Sequence, residues 1–458
     1  MTQVNNTVRK SSPHLDKLAE FIAEAKYEDL DQKTIDHTIK VLYDTTGVQF
    51  RGSIEPEVSK FIESLPKTTD QPASLIAPNF PKTDYLWAAM ANGTEGIFME
   101  LDEGHRPTGH PGIHVIPAAL AVAEKLNASG KDLILAVVLG YEVAARISNG
   151  LKLKPGIHPH GHIGTVGAAA ACGKLMGFNA EQIKEAMNCA ASLPIATSFE
   201  ACYEGATIRN SYTGVSNAIG LLSAQLVASG FTGTDAGVEH TFGTMLGKTF
   251  APACLSVDLG EEFQITTNYF KFHACCAANH PALDALQQIQ KENKSLDLND
   301  IKKIDVYITD YSMMVNRYPA RNQLSAKFSL PFAVATTLFH GKATTEAFQD
   351  DKVKLPILDT IARKVEVIAS PELTKRWPAE VSARVKISLT DGQVLEGYCK
   401  NAYGYWQNPC TTQDLIDKFR DLTKTHYQEQ AAEQIYDLFV KLPEYSSFVA
   451  FMDDLRKI

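Results

Sequence analysis

Two stretches of this chain, residues 167–176 and 214–228, are dense in Ala, Gly and Ser. Helices built from such residues admit a neighbouring backbone at close range and belong in a tightly packed interior. They lie in a region, residues 13 to about 260, that reads as helix after helix. Ile35, Ile39 and Leu42 recur at i, i+4, i+7 behind Asp31. Residues 117–127 read as a small-residue apolar helix, and Ser129 with Asp132 forms a capping box before a helix over 133–147. Asn179 with Gln182 starts another over 180–192. The expectation is a helical bundle with a close-packed centre.

The pattern changes after about Thr266. Residues 303–309 and 364–368 alternate as strands do. Residues 383–398 form two alternating runs around Asp391-Gly392, which predicts a hairpin with a type I′ turn. Helices flank these strands at about 277–293 and 329–340, and helix returns over 411–423 and 428–442. The expected fold class is α+β overall: a large all-α helical domain (1–266 plus 401–458) carrying a smaller inserted α+β lid domain (267–400).

The net charge of −9 and the lack of a basic run exclude a nucleic-acid partner, though a locally positive pocket can still take an anionic substrate. Eight scattered cysteines, with no CxxC pair, fit a reducing cytoplasm better than a disulfide framework. Residues 1–13 are polar and lack the apolar core of a signal peptide. No apolar run approaches the roughly 18 residues of a membrane span, so none is expected. No GxxxxGK[ST], no strand-borne GxGxxG and no GxSxG occurs, so phosphate, dinucleotide and serine-hydrolase signatures are missing.

What remains is acid/base chemistry. Six of thirteen histidines fall in two loops: His105, His110 and His114 in one, His158, His160 and His162 in the other. The first loop also holds Glu100, Asp102, Glu103 and Arg106, and a carboxylate beside an imidazole orients the ring and raises its basicity. Gly104, Gly109 and Gly112 would let its backbone approach a ligand. In the second loop the H-x-H-x-H run matches metal-ligand spacing, but Pro159 and Gly161 interrupt it. Arg209 can grip a carboxylate with its fork. Lys271 and Lys327 are further candidate anchors, and Cys276 and His280 flank the junction with the α+β region. Adjacent Cys275 and Cys276 in an Ala-rich stretch read as small buried residues rather than nucleophiles.

These residues together resemble the MmgE/PrpD family. The resemblance is carried by Asp102 through His110-Pro111, by Gly140-Tyr-Glu-Val-Ala-Ala-Arg146, and by the His158 loop ending Gly164-Thr165. It continues through Arg209-Asn210, Lys271 to Asn279-His280-Pro281, Ala326-Lys-Phe-Ser-Leu-Pro331 and Asn408-Pro409. It implies a helical domain with an α+β lid, a homodimer, no metal or organic cofactor, and a small di- or tricarboxylic acid substrate bound between the domains. It places the acid/base and anchoring roles on Asp102, His110, His158 and Lys271. Gly104, Arg209 and Cys276 depart from the animal-type decarboxylases of that family. The expected function is a lyase, dehydratase or decarboxylase in type. The alternatives are an epimerase of a dicarboxylate such as iminodisuccinate, a metal-dependent hydrolase using His158, His160 and His162, and a non-catalytic polycarboxylate-binding protein.

Overall fold

The computed structural model describes residues 12–67, 72–107 and 109–458. Most of the segment read as lacking a signal peptide therefore lies outside the described residues. The fold is α+β, mostly helical with small sheets.

The small-residue helices form its centre. Helices Gly130–Gly150 and Ile163–Leu175 cross so closely at Gly140 and Gly167 that a Cβ at Gly140 would lie 2.7 Å from the Gly167 carbonyl oxygen. Helix Tyr212–Ala228 meets the same surface at Gly220, where a Cβ would come within 2.5 Å of Ala168 Cβ. The capping boxes at Ser129 and Asn179 are formed as expected. Helix Gly130–Gly150 corrects one expectation. It is long and apolar enough to cross a membrane, but 89% of its most apolar window is buried inside the protein.

The helix expected from residue 117 begins earlier and spans Pro111–Leu126. Pro117 sits inside it, lacking the N–H that would bond the Ile113 carbonyl. Asn217 fills the gap: its Nδ2 donates to Ile113 O at 2.9 Å, and its Oδ1 accepts from the Ala118 N–H at 3.0 Å. His114 is thereby helical rather than part of a loop.

The second half builds a four-stranded sheet in the order Val394–Cys399, Ala383–Leu389, Ile301–Ile308, Val365–Ala369, with only the last pair parallel. Helices His280–Glu292 and Leu330–His340 cover it, and Leu283, Leu286 and Ile289 share a hydrophobic cluster with Ile304, Val306, Val385 and Ile387. The hairpin turn is not type I′. Leu389 N–H donates to Gln393 O and Gly392 N–H to Leu389 O, so three residues form the loop, and only Gly392 (φ +93°) is left-handed. The extra residue moves the Asp-Gly pair out of the two central positions.

Helices Thr412–Thr423 and Ala431–Val440 return to the first half, where Phe419 stacks on Tyr43 with ring centroids 4.5 Å apart. A further helix, Phe448–Leu455, was not anticipated. The segment linking the two halves pairs Asn268-Tyr269 with Gly104-His105 as a two-residue antiparallel ladder. Asn217→Ala would leave the Ile113 carbonyl buried without a partner, so it is expected to cost about 1–3 kcal/mol, read as a lower Tm in a thermal melt.

Candidate active site

Both histidine loops and the segment linking the two halves of the chain meet at one narrow cavity of about 50 Å³. Its walls include Glu100, Arg106, His110, His158, His160, Arg209, Tyr269, Cys276 and Phe328. Ligand pockets are commonly about 300–1,000 Å³, so this cavity is small for one. Two wider open clefts, about 740 and 820 Å³, lie elsewhere and contain none of these groups.

The 104–105/268–269 ladder aligns the first loop with that linking segment. Gly104 is needed there because a Cβ would collide with the Tyr269 ring, 2.3 Å from its hydroxyl oxygen. Its closeness therefore serves Tyr269 rather than a ligand. Gly112 in turn lies against Glu103, which accepts its N–H at 2.7 Å. Glu103 also accepts from Tyr141 and Asn268. Burial nonetheless pushes its carboxyl up to about 7, against those three hydrogen bonds.

Beneath the cavity sit two carboxylates and two cations. Glu100, held in a left-handed conformation (φ +55°), pairs with Arg209 and, at 3.4 Å, with Lys271. Lys271 Nζ also lies 3.5 Å from Asp102 Oδ1. All four side chains are buried. Burial alone would raise both acids, but Lys271 and then His110 hold Asp102 far below the usual carboxylate range, while Arg209 and then Lys271 hold Glu100 down.

His110 Nδ1 lies 2.7 Å from Asp102 Oδ2 and 2.9 Å from the Glu103 carbonyl, with its N–H better aligned on the carbonyl. Both neighbours only accept, so Nδ1 carries the proton and Nε2 is the basic nitrogen. His158 has the opposite tautomer. Its Nδ1 accepts the His160 backbone N–H at 3.2 Å, which leaves the proton on Nε2. Burial, then the nearby Arg209 charge, keeps His158 neutral.

His160 stands between them, stacked 4.7 Å from the His110 ring and 4.6 Å from the His158 ring. Its Nε2 faces Arg209 Nη2 at 3.5 Å, a long contact. Its Nδ1 is 2.7 Å from His114 Nε2, and His114 Nδ1 is 3.0 Å from Ser216 Oγ, itself 2.6 Å from Thr165 Oγ1. Arg209 can only donate, so the chain reads from Arg209 through His160 and His114 to Ser216. Burial holds His160 and His114 neutral.

Of the sequence-selected residues, His110, His158, Arg209 and Cys276 line the cavity, and Asp102 and Lys271 lie directly behind it. Burial raises the Cys276 thiol pKa, which leaves it a small neutral wall group. Lys327 and His280 are placed elsewhere. Lys327 donates to the Phe98 carbonyl at 2.9 Å, and His280, opening a helix that covers the sheet, bonds the Cys275 carbonyl at 3.1 Å. From sequence alone, Glu100 and Arg106 stand in the first loop without an assigned site role, His160 enters only through the alternative metal run, and Tyr269 is not singled out. Three of them stood within the quoted loops, but their role depends on partners distant in sequence. His158, His160 and His162 do not converge, since His162 Nε2 bonds the His158 carbonyl at 2.7 Å. Among the described residues no group of three or more His, Cys, Asp or Glu is arranged to hold a metal.

The MmgE/PrpD N-terminal domain model matches residues 16–250 and the C-terminal domain model residues 273–442. The chain belongs to the MmgE/PrpD family, and it is an enzyme of the lyase kind. It is 25% identical to the cis-aconitate decarboxylase of Homo sapiens over 422 residues, covering 85% of this chain and 84% of that protein. It is 22% identical to the cis-aconitate decarboxylase of Aspergillus terreus (strain NIH 2624 / FGSC A1156), covering 94% and 93%. A mitochondrial 2-methylcitrate dehydratase of Yarrowia lipolytica is 24% identical over 173 residues, 36% of this chain and 33% of that protein.

Burial pushes the Lys327 ammonium down to about 8 from 10.5. Its charge therefore opposes folding below about pH 8, by roughly 3 kcal/mol, and that cost fades as pH rises toward 10.5. Lys327→Met is expected to gain stability relative to the wild type near neutral pH. The gain should shrink between pH 8 and 10.5 in denaturation curves taken across that range.

Proposed function

We propose that the protein is a lyase that transfers a proton at the carbon next to a carboxylate in a small di- or tricarboxylic acid, eliminating water or carbon dioxide without metal or organic cofactor. The carrying observation is the opposed tautomers of His110 and His158 on one cavity backed by Arg209 and Lys271. His110 Nε2, with its proton-bearing Nδ1 fixed by Asp102 and the Glu103 carbonyl, acts as base toward the carbon acid. When water is lost the C–H pair moves onto the substrate, and when carbon dioxide is lost the C–C pair does; Arg209 with Lys271 stabilises the negative charge that grows on the neighbouring carboxylate. His158, neutral with Nε2–H, donates to the departing hydroxyl when water is lost, or to the carbon that keeps the C–C pair when carbon dioxide is lost.

The helical body and the 267–400 unit would then act as body and lid. One hydrophobic cluster lies almost wholly in the helical part and a second mostly in residues 274–395, joined there by Val48, Val58, Phe98, Met99, Leu101 and Leu422, which supports that division. The flanking of His160 by two histidines also fits epimerisation, in which one face of the carbon loses a proton and the other gains one. A hydrolase built on the second loop finds no support in the orientation of its rings. A purely binding role leaves the two opposed tautomers without a purpose.

Incubation with cis-aconitate, 2-methylcitrate, citrate and iminodisuccinate in D₂O, followed by NMR, tests the reading. Loss of water or carbon dioxide is expected from one of them. Deuterium uptake alone would select the epimerase, and a panel left unchanged would end the proposal. On the accepted substrate, His110→Ala and His158→Ala should each lower kcat by about 10²–10⁴.

A further inference from the structure

Arg106 lines the cavity and is not matched by any carboxylate among the described residues. Arg209, the other cavity-lining arginine, is already paired with Glu100. The Arg106 guanidinium lies 5.1 Å from the Tyr269 ring centre and 5.3 Å from that of Tyr405. Its Nη2 donates to the Tyr405 hydroxyl, and its Nε is buried with no hydrogen-bond partner. Tyr269 and Tyr405 stack on each other with centroids 4.7 Å apart, so the arginine rests on a fixed aromatic platform. Such a platform orients a guanidinium but does not neutralise it. Arg106 is half-buried with its Nε shielded from water, so part of its guanidinium can be completed only by a group that enters the cavity, and an anionic one suits its charge.

We propose that Arg106 is a specificity-determining residue that receives a second carboxylate of the substrate, distinct from the one engaged by Arg209 and Lys271. This rests on the carboxylic-acid reading above and narrows it. The substrate carries negative groups at both ends, and a monocarboxylic acid leaves Arg106 unmatched. The two arginines enter from different elements: Arg106 from the first histidine loop, Arg209 beside Phe328 from the turn before helix Tyr212–Ala228. Both line the same cavity, so one molecule held there meets them both.

The test is calorimetric binding of tricarballylate, a tricarboxylate without hydroxyl or double bond, and of butanoate as a monocarboxylate. Wild type should bind tricarballylate. Arg106→Gln should weaken that binding about tenfold or more, with a smaller loss for Arg106→Lys and no change in the weak binding of butanoate. Unchanged Tm and circular dichroism would show that the variants fold. Tricarballylate bound equally by wild type and Arg106→Gln overturns the assignment, as does a parallel loss of both ligands. If the tricarballylate difference appears while no acid in the D₂O panel reacts, the Arg106 subsite stands and the lyase chemistry falls.

Discussion

A buried charge quartet, Glu100 and Asp102 against Arg209 and Lys271, governs this site. Removing any member would strand a charge in a low-dielectric interior, which costs several kcal/mol. The quartet also ties three parts of the chain together: the first histidine loop, the turn at Arg209 and the linking segment at Lys271. Its members balance, so the floor of the cavity is neutral as a whole yet strongly polar.

Above that floor the histidines are set apart by their hydrogen-bond partners. His110 is oriented by acceptors and His158 by a backbone donor, so two chemically identical rings present a lone pair and an N–H respectively. His160, neutral and anchored through His114 to Ser216, spaces them. Desolvation keeps His114, His158 and His160 uncharged near Arg209.

Local rules carried the fold far. The caps at Asp31, Ser129 and Asn179 and the alternating strands after residue 300 are short-range signals, and each element formed where they stood. Pro117 misled because proline reads as a helix start, while its tolerance within a helix depends on Asn217, a hundred positions away. The Asp-Gly turn misled by one residue, since loop length is set by the pairing of the strands and not by the dipeptide. Asp102, His110, His158, Arg209 and Lys271 were legible as candidates because ionisable groups in Gly/Pro-rich loops beside apolar helices rarely lack a task.

The sequence by itself determined the small-residue centre, the change from helical to mixed structure and the two histidine-bearing segments, because these depend on side-chain size, periodicity and composition along the chain. Only the tertiary structure decided which nitrogen of each ring holds a proton, that Glu100 belongs with the cations, that Lys327 and His280 turn away, and that Arg106 faces the cavity unmatched. Those outcomes depend on burial and on partners remote in sequence, and a linear pattern records neither.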